Sequence, residues 1–154
     1  LKPRSILKLL IAVLFIFISS WSAIKLYYIT VNYGVEVKDI INIVFEIRKL
    51  NIEDEDTLEI SVNIINTSDE YIHIMRLGVT LERYGVYLGG LYKEYELKQL
   101  TLSPNSNITE KFRIVSRGLS RYIALNEFTI YIHILASTRY VKNIPLTKEF
   151  KVKL

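Results

Sequence analysis

Cysteine is absent from this 154-residue chain, which removes disulfides and thiolate metal sites and leaves stability to packing. Acidic residues are missing before Glu36, and residues 9–24 carry no charge of either sign. A segment that excludes water-seeking groups so completely is either lipid-facing or deeply buried. Absent too are Gly-x-Ser-x-Gly, the P-loop, the dinucleotide fingerprint and His-Glu-x-x-His. No catalytic residue, cofactor, metal or small-molecule substrate is therefore expected, and the chain reads as non-enzymatic. No internal repeat, low-complexity stretch or second globular domain is visible.

The net charge of +4 would suit nucleic acid if it lay on a folded domain. It does not. Lys2, Arg4, Lys8 and Lys25 flank the apolar segment, and residues 31–154 then hold 16 basic against 16 acidic residues. The basic excess belongs to the apolar segment, and a nucleic-acid partner is not expected.

Ten of the sixteen residues in 9–24 (LLIAVLFIFISSWSAI) are Leu, Ile, Val or Phe. At about −0.3 to −0.6 kcal/mol each they favour insertion by roughly 3–6 kcal/mol. Sixteen helical residues reach only about 24 Å, short of a hydrocarbon core of roughly 30 Å. Continuing the helix from Ile6 to Ile29 closes the gap, because Lys8 and Lys25 snorkel toward the two interfaces. Trp21, Tyr27 and Tyr28 suit the outer aromatic belt. Three basic residues and no acid precede the span, so the positive-inside bias leaves the N-terminus in the cytoplasm and the rest of the chain outside. The expected layout is a basic stub and transmembrane helix in residues 1–30, a linker in 31–37 and one domain in 38–154. A cleaved signal peptide, cut near Ala23 after Ser20 and Ser22, is the alternative.

Beyond Gly34 the hydrophobic period becomes two. Ile41, Ile43, Phe45 and Ile47 alternate with polar neighbours, as do Leu58, Ile60, Val62 and Ile64. Ile72 and Ile74 are followed by Leu77, Val79 and Leu81, a slip of phase that predicts a β-bulge near Met75. Tyr95 and Leu97 form a shorter run, followed by Ile108, Phe112 and Ile114. Phe128, Ile130, Ile132 and Ile134 face away from Tyr131 and His133, and Phe150 and Val152 close the chain. Turn chemistry separates these runs at residues 51–56, 66–70, 84–85, 89–90 and 103–106, and residues 118–125 hold one helical turn. Such one-sided strands pack as two sheets. The expected fold is all-β, an immunoglobulin-like antiparallel β-sandwich of about seven strands, behind one N-terminal transmembrane helix.

Residues 58–90 (LEISVNIINTSDEYIHIMRLGVTLERYGVYLGG) and 100–116 (LTLSPNSNITEKFRIVS) resemble the late-embryogenesis-abundant type 2 domain, also named the water-stress and hypersensitive-response (WHy) domain. The resemblance runs through a strand at 58–65, an Asn-led turn from Asn66, strands over 77–88 ending before Gly89, and a Pro-containing turn into 102–114. Thr67 stands where that family usually has Pro. The resemblance implies a non-enzymatic module tied to stress protection or to a protein partner or surface layer, tethered to the bilayer. A pilin-like filament subunit or an accessory subunit of a membrane complex is the alternative. The high share of Ile, Lys, Arg and Glu adds the expectation of a thermophilic, archaeal source.

Four further features call for side-chain chemistry. His73 and His133 sit opposite the apolar faces of their strands, where they read as solvent-facing residues. Asn66-Thr67-Ser68 and Asn107-Ile108-Thr109 are N-glycosylation sequons on the domain assigned to the outside, making Asn66 and Asn107 candidate glycan acceptors. Tyr84, Tyr87, Tyr92 and Tyr95 gather around Gly85, Gly89 and Gly90 as a candidate contact surface. Glu53-Asp54-Glu55-Asp56 is the densest charge cluster, but its spacing matches no calcium loop and reads as a solvated hairpin tip. Micromolar calcium should accordingly leave the melting temperature of the protein unchanged, and a calcium-dependent rise would reveal a tight site in that run.

Overall fold

The computed structural model describes residues 3–124 and 127–153; the side chains of residues 3–9 and of Ala124 lie outside that description. The chain divides into two compact units, Leu1–Val35 and Glu36–Leu154.

Helix α1 (Pro3–Ile41) makes up the first unit and carries on into the second. It starts on Pro3, whose missing N–H would find no partner in a first turn. Residues 31–37, expected as a linker, are helical, and Ile41 ends the helix instead of opening a strand. The lone Gly34 costs roughly 1 kcal/mol against alanine and is too weak a breaker to stop the run. Glu36 and Ile40, both buried, fix the last turn within the second unit. The helix closes as Asn42 N–H donates to the Lys38 carbonyl (3.0 Å) and Ile43 N–H to that of Ile40 (3.2 Å), a tightening of the last turn typical of helix ends.

The second unit contains β1 (Val44–Ile52), β2 (Thr57–Ile65), β3 (Ile72–Arg83), β4 (Val86–Glu94), β5 (Leu100–Leu102), β6 (Asn107–Val115), α2 (Leu119–Ala124), β7 (Phe128–Ser137) and β8 (Ile144–Val152). All pairings are antiparallel. One sheet has the order β1-β2-β6; the other runs β4-β3-β7-β8 with β5 also on β3. The fold is an all-β sandwich behind an N-terminal apolar helix. The alternating residues of β2, β3 and β7 form its core, with Leu58, Ile60, Val62, Ile64, Leu77, Val79, Leu81, Ile130 and Ile132 wholly buried.

The bulge lies where the phase slip predicts it. In the β3–β7 ladder Ile74 pairs with Ala136 and Arg76 with Leu135, so Met75 is the extra residue. On its other edge β3 holds β4 up to Glu94 and then β5 from Leu100, with Tyr95 N–H donating to the Met75 carbonyl (2.9 Å). Tyr95–Leu97, expected as a strand, is thus the start of an excursion. Tyr95 packs against the core and Leu97 is exposed. The turn expected at Gly89-Gly90 lies inside β4; the one expected at Tyr84-Gly85 is the hairpin turn, where φ is 51° and 77° as a two-residue primed turn requires. The expected helical turn is α2, although Leu125 falls outside the described residues.

β8 forms one edge of its sheet, and its inward residues Ile144, Leu146, Phe150 and Val152 are only half-buried. Lys148 pairs with the core residue Ile132 and so shares the inner face, and Pro145 interrupts the strand's donors. An inward-pointing lysine and a proline guard an edge against unwanted strand pairing.

Asn66, one of the two candidate glycan acceptors, is buried in the folded domain as a structural clip. It is 1% exposed, and its Nδ2 donates to the carbonyls of Glu70 (2.8 Å) and Ser103 (3.0 Å). Its Oδ1 accepts from Ser68 N–H (3.0 Å) and Ser68 Oγ (2.8 Å). These bonds join two turns, and a sugar on that amide has no room in the folded domain. Asn107, at the start of β6, is exposed. Asn66→Ala should lower the unfolding free energy by about 2–4 kcal/mol, as expected for several buried hydrogen bonds lost together, measurable by urea denaturation.

Candidate recognition face

Paired residues on neighbouring strands share a face. Across the wider sheet, Tyr92, Gly78, His133 and Thr147 form one cross-strand row, and Gly90, Thr80, Tyr131 and Glu149 form the next. Both rows lie opposite the core. Tyr92 lies across Gly78: a Cβ added there would sit 2.2 Å from the tyrosine Cδ1. A Cβ on Gly90 would meet the Val79 carbonyl oxygen at 2.8 Å and the Tyr87 hydroxyl at 3.1 Å. Two glycines in strand interiors, costly in conformational entropy, thereby let tyrosines of β4 lean inward over the sheet.

The imidazole of His133 occupies the middle of this surface. Its Nε2 is 2.9 Å from Thr80 Oγ1 and its Nδ1 is 3.0 Å from Thr147 Oγ1. Its ring centroid lies 5.9 Å from that of Tyr92 and 6.2 Å from that of Tyr131, at interplanar angles of 25° and 21°. Aromatic pairs at such separations contribute about 0.5–1.5 kcal/mol each beyond their burial. Burial lowers the proton affinity of His133, opposed by Glu82. Partial desolvation and the carboxylates of Glu149 and Glu82 raise that of the Tyr131 phenol. With both imidazole nitrogens engaged by hydroxyls, His133 serves as one plate of an aromatic surface. Tyr87 and Tyr92 remain 61% and 50% exposed, so the surface has both area and access. It can offer flat apolar contact with hydroxyls at its margin, the chemistry of recognition.

Of the four tyrosines singled out in the sequence, Tyr87 and Tyr92 join this face. Tyr84 stands at the hairpin tip with the Arg83 guanidinium 5.3 Å from its ring centroid, and Tyr95 turns toward the core. Tyr131 was not among them, although strand alternation had placed it beside His133 on the outer side. His73 lies on the same outer side, with Nδ1 2.9 Å from Thr101 Oγ1. It pairs with Ser137, four residues along β7 from His133, a separation of about 13 Å along the strand. The two histidines therefore do not converge, and among the described residues no group of three or more His, Asp or Glu is placed to hold a metal.

The acidic hairpin spreads its carboxylates over separate partners. Glu53 pairs with Arg113 at 2.8 Å, Glu55 with Arg121 at 3.6 Å, and Asp56 accepts the Gly118 N–H. Asp54 accepts Asp56 N–H at 2.8 Å, a bond that lowers its pKa.

On α1, Trp21, Lys25 and Tyr28 follow one another at i, i+4 and i+7, which puts them on one helix face; all three and Tyr27 are exposed. The Lys8 side chain, and Lys2 altogether, lie outside the described residues. The stretch Leu10–Ile41 is long and apolar enough to cross a membrane.

No protein-family model and no curated protein matches the chain. Solved structures do. A protein of Bordetella pertussis assigned as ApaA is 9% identical, with a TM-score of 0.53 over 73% of this chain and 94% of that one. A protein from Archaeoglobus fulgidus is 16% identical, with a TM-score of 0.48 over 72% and 95%. A protein described as late embryogenesis abundant is 11% identical, with a TM-score of 0.48 over 88% and 84%. At these identities the likeness is one of fold.

Both histidines carry a lowered folded pKa, His73 through burial and then the nearby Lys98. Below the ordinary value of 6.5 the unfolded chain binds protons that the folded chain resists. Stability should therefore fall as pH drops from 7.5 through 6.5 and level off below the folded values. The paired variant His73→Gln, His133→Gln should flatten the melting temperature over that window; an unchanged slope would assign it to other groups.

Proposed function

We propose that this chain is a membrane-anchored, non-catalytic module that presents its β-sandwich on the outer side of the membrane. There it meets a surface protein through Tyr87, Tyr92, Tyr131 and His133. The observation that carries the reading is the continuous apolar stretch of α1, whose large side chains from Leu10 to Val35 are exposed along the helix. In water that surface would be costly; in lipid it is the driving force for insertion. The basic residues preceding the span support an inside N-terminus. The resemblance of residues 58–116 to the LEA type 2 domain supports a protective or interaction role in place of catalysis, and the exposed aromatic surface supplies a place for contact.

The test is made on native membranes. Alkaline carbonate should leave the full chain in the pellet, and protease added outside intact cells should remove the sandwich while sparing the N-terminal stub. A photo-crosslinking residue at position 87 should then yield one discrete adduct with a surface protein. Release by carbonate would refute the anchor, protection from external protease the orientation, and the absence of a discrete adduct the proposed face.

A further inference from the structure

At the end of the sandwich that carries Glu36, two loops line a cleft of about 650 Å³. Both are held in place. In the β7–β8 loop, Thr138 Oγ1 and Tyr140 N–H donate to the Glu36 carboxylate at 2.5 and 2.8 Å. Thr138 N–H donates to the Val141 carbonyl (2.8 Å), and Asn143 N–H to Ser137 Oγ (3.0 Å). Val141 is buried, which leaves Arg139 and Lys142 exposed on the cleft side. The Arg139 guanidinium lies 5.2 Å from the Tyr140 ring centroid.

The second wall is the excursion between β4 and β5. It is closed by Gln99 N–H donating to the Glu96 carbonyl (3.0 Å) and by Glu96 N–H donating to Gln99 Oε1 (2.9 Å). Lys98 sits at its tip with φ of 70°, a left-handed conformation uncommon for lysine, and its carbonyl accepts from Thr101 Oγ1 (3.1 Å). Strain held at a cationic tip points to a role for the residue presented there.

Six cations elsewhere on the domain, Arg48, Lys49, Arg76, Lys93, Arg113 and Arg121, pair with glutamates. Lys98, Arg139 and Lys142 are among the cations with no carboxylate within 4.0 Å among the described residues, and they are set apart by lining one cleft together. Glu36 and Asp69 lie outside the lining, held by the β7–β8 loop and by Asn105 Nδ2 (3.0 Å), and Glu70 is the acid that lines the cleft itself. His73, Thr101, Ser137 and Thr138 line the cleft as well, with Tyr71 and Leu97 as its apolar members.

We infer that this cleft binds a phosphate group, free or as part of a lipid headgroup. Arg139 supplies a planar two-donor fork and Lys98 and Lys142 point charges; of the lining threonine and serine hydroxyls, only that of Ser137 is not already donating elsewhere. The inference stands apart from the aromatic face and does not depend on it.

The experiment uses the full chain in zwitterionic detergent at fixed low ionic strength, titrated with inorganic phosphate or with micelles doped with phosphatidic acid. Thermal melting and backbone NMR shifts are followed. A saturable rise in melting temperature is expected, with shifts concentrated at residues 98, 101 and 137–142. Arg139→Gln with Lys142→Gln should weaken either ligand at least tenfold, and so should Lys98→Gln as an independent variant. Lys148→Gln, the same charge change on β8, should leave binding intact. A response to phosphate in both forms, or to one form, supports the cleft and identifies its source. No saturable response to either, or equal binding by the cleft variants and by Lys148→Gln, would overturn it.

Discussion

The structure depends on one extra residue in β3. That strand hydrogen-bonds to β4, β5 and β7, and strict alternation would let only one of its two apolar groups face inward. Met75 resets the phase, so Ile72 and Ile74 join Leu77, Val79 and Leu81 in the core. On the opposite edge the same insertion separates β4 from β5 and forces residues 96–99 outward. The device that closes the core therefore also raises Lys98 and opens the cleft beneath it. Bulges commonly re-aim side chains in this way.

A second constraint acts at the helix end. Glu36 is 4% exposed and has no lysine or arginine against it among the described residues. Its charge is met by a hydroxyl and a backbone N–H from the β7–β8 loop. Charge-assisted hydrogen bonds of this kind offset desolvation only while each donor stays in place. They tie residues more than a hundred positions apart in sequence, the last turn of the helix to the β7–β8 loop.

The outer face shows how weak local signals combine. Gly-Gly is a turn signal when only neighbours in sequence are considered, yet Gly90 lies in mid-strand because its missing side chain leaves room for Tyr87. Gly78 does the same for Tyr92 from the next strand. His133 and Tyr131 were legible as outward residues, but their meeting with Tyr92 depends on the register of three strands. Asn66 was legible as a turn residue and as part of a sequon. Its burial follows from Glu70 in its own turn and from Ser103, which only folding brings to it.

The sequence by itself determined the apolar helix, the alternation that sorts each strand into inner and outer faces, and the phase slip at Met75. These are local properties: hydropathy belongs to a single stretch of chain, and backbone geometry alternates side chains without reference to any partner. Tertiary structure decided the length of the helix, the place of the glycines, the burial of Asn66 and the assembly of both the aromatic face and the basic cleft. Those depend on strand register and on buried polar groups finding donors far away in the chain, energies that no short window of sequence contains.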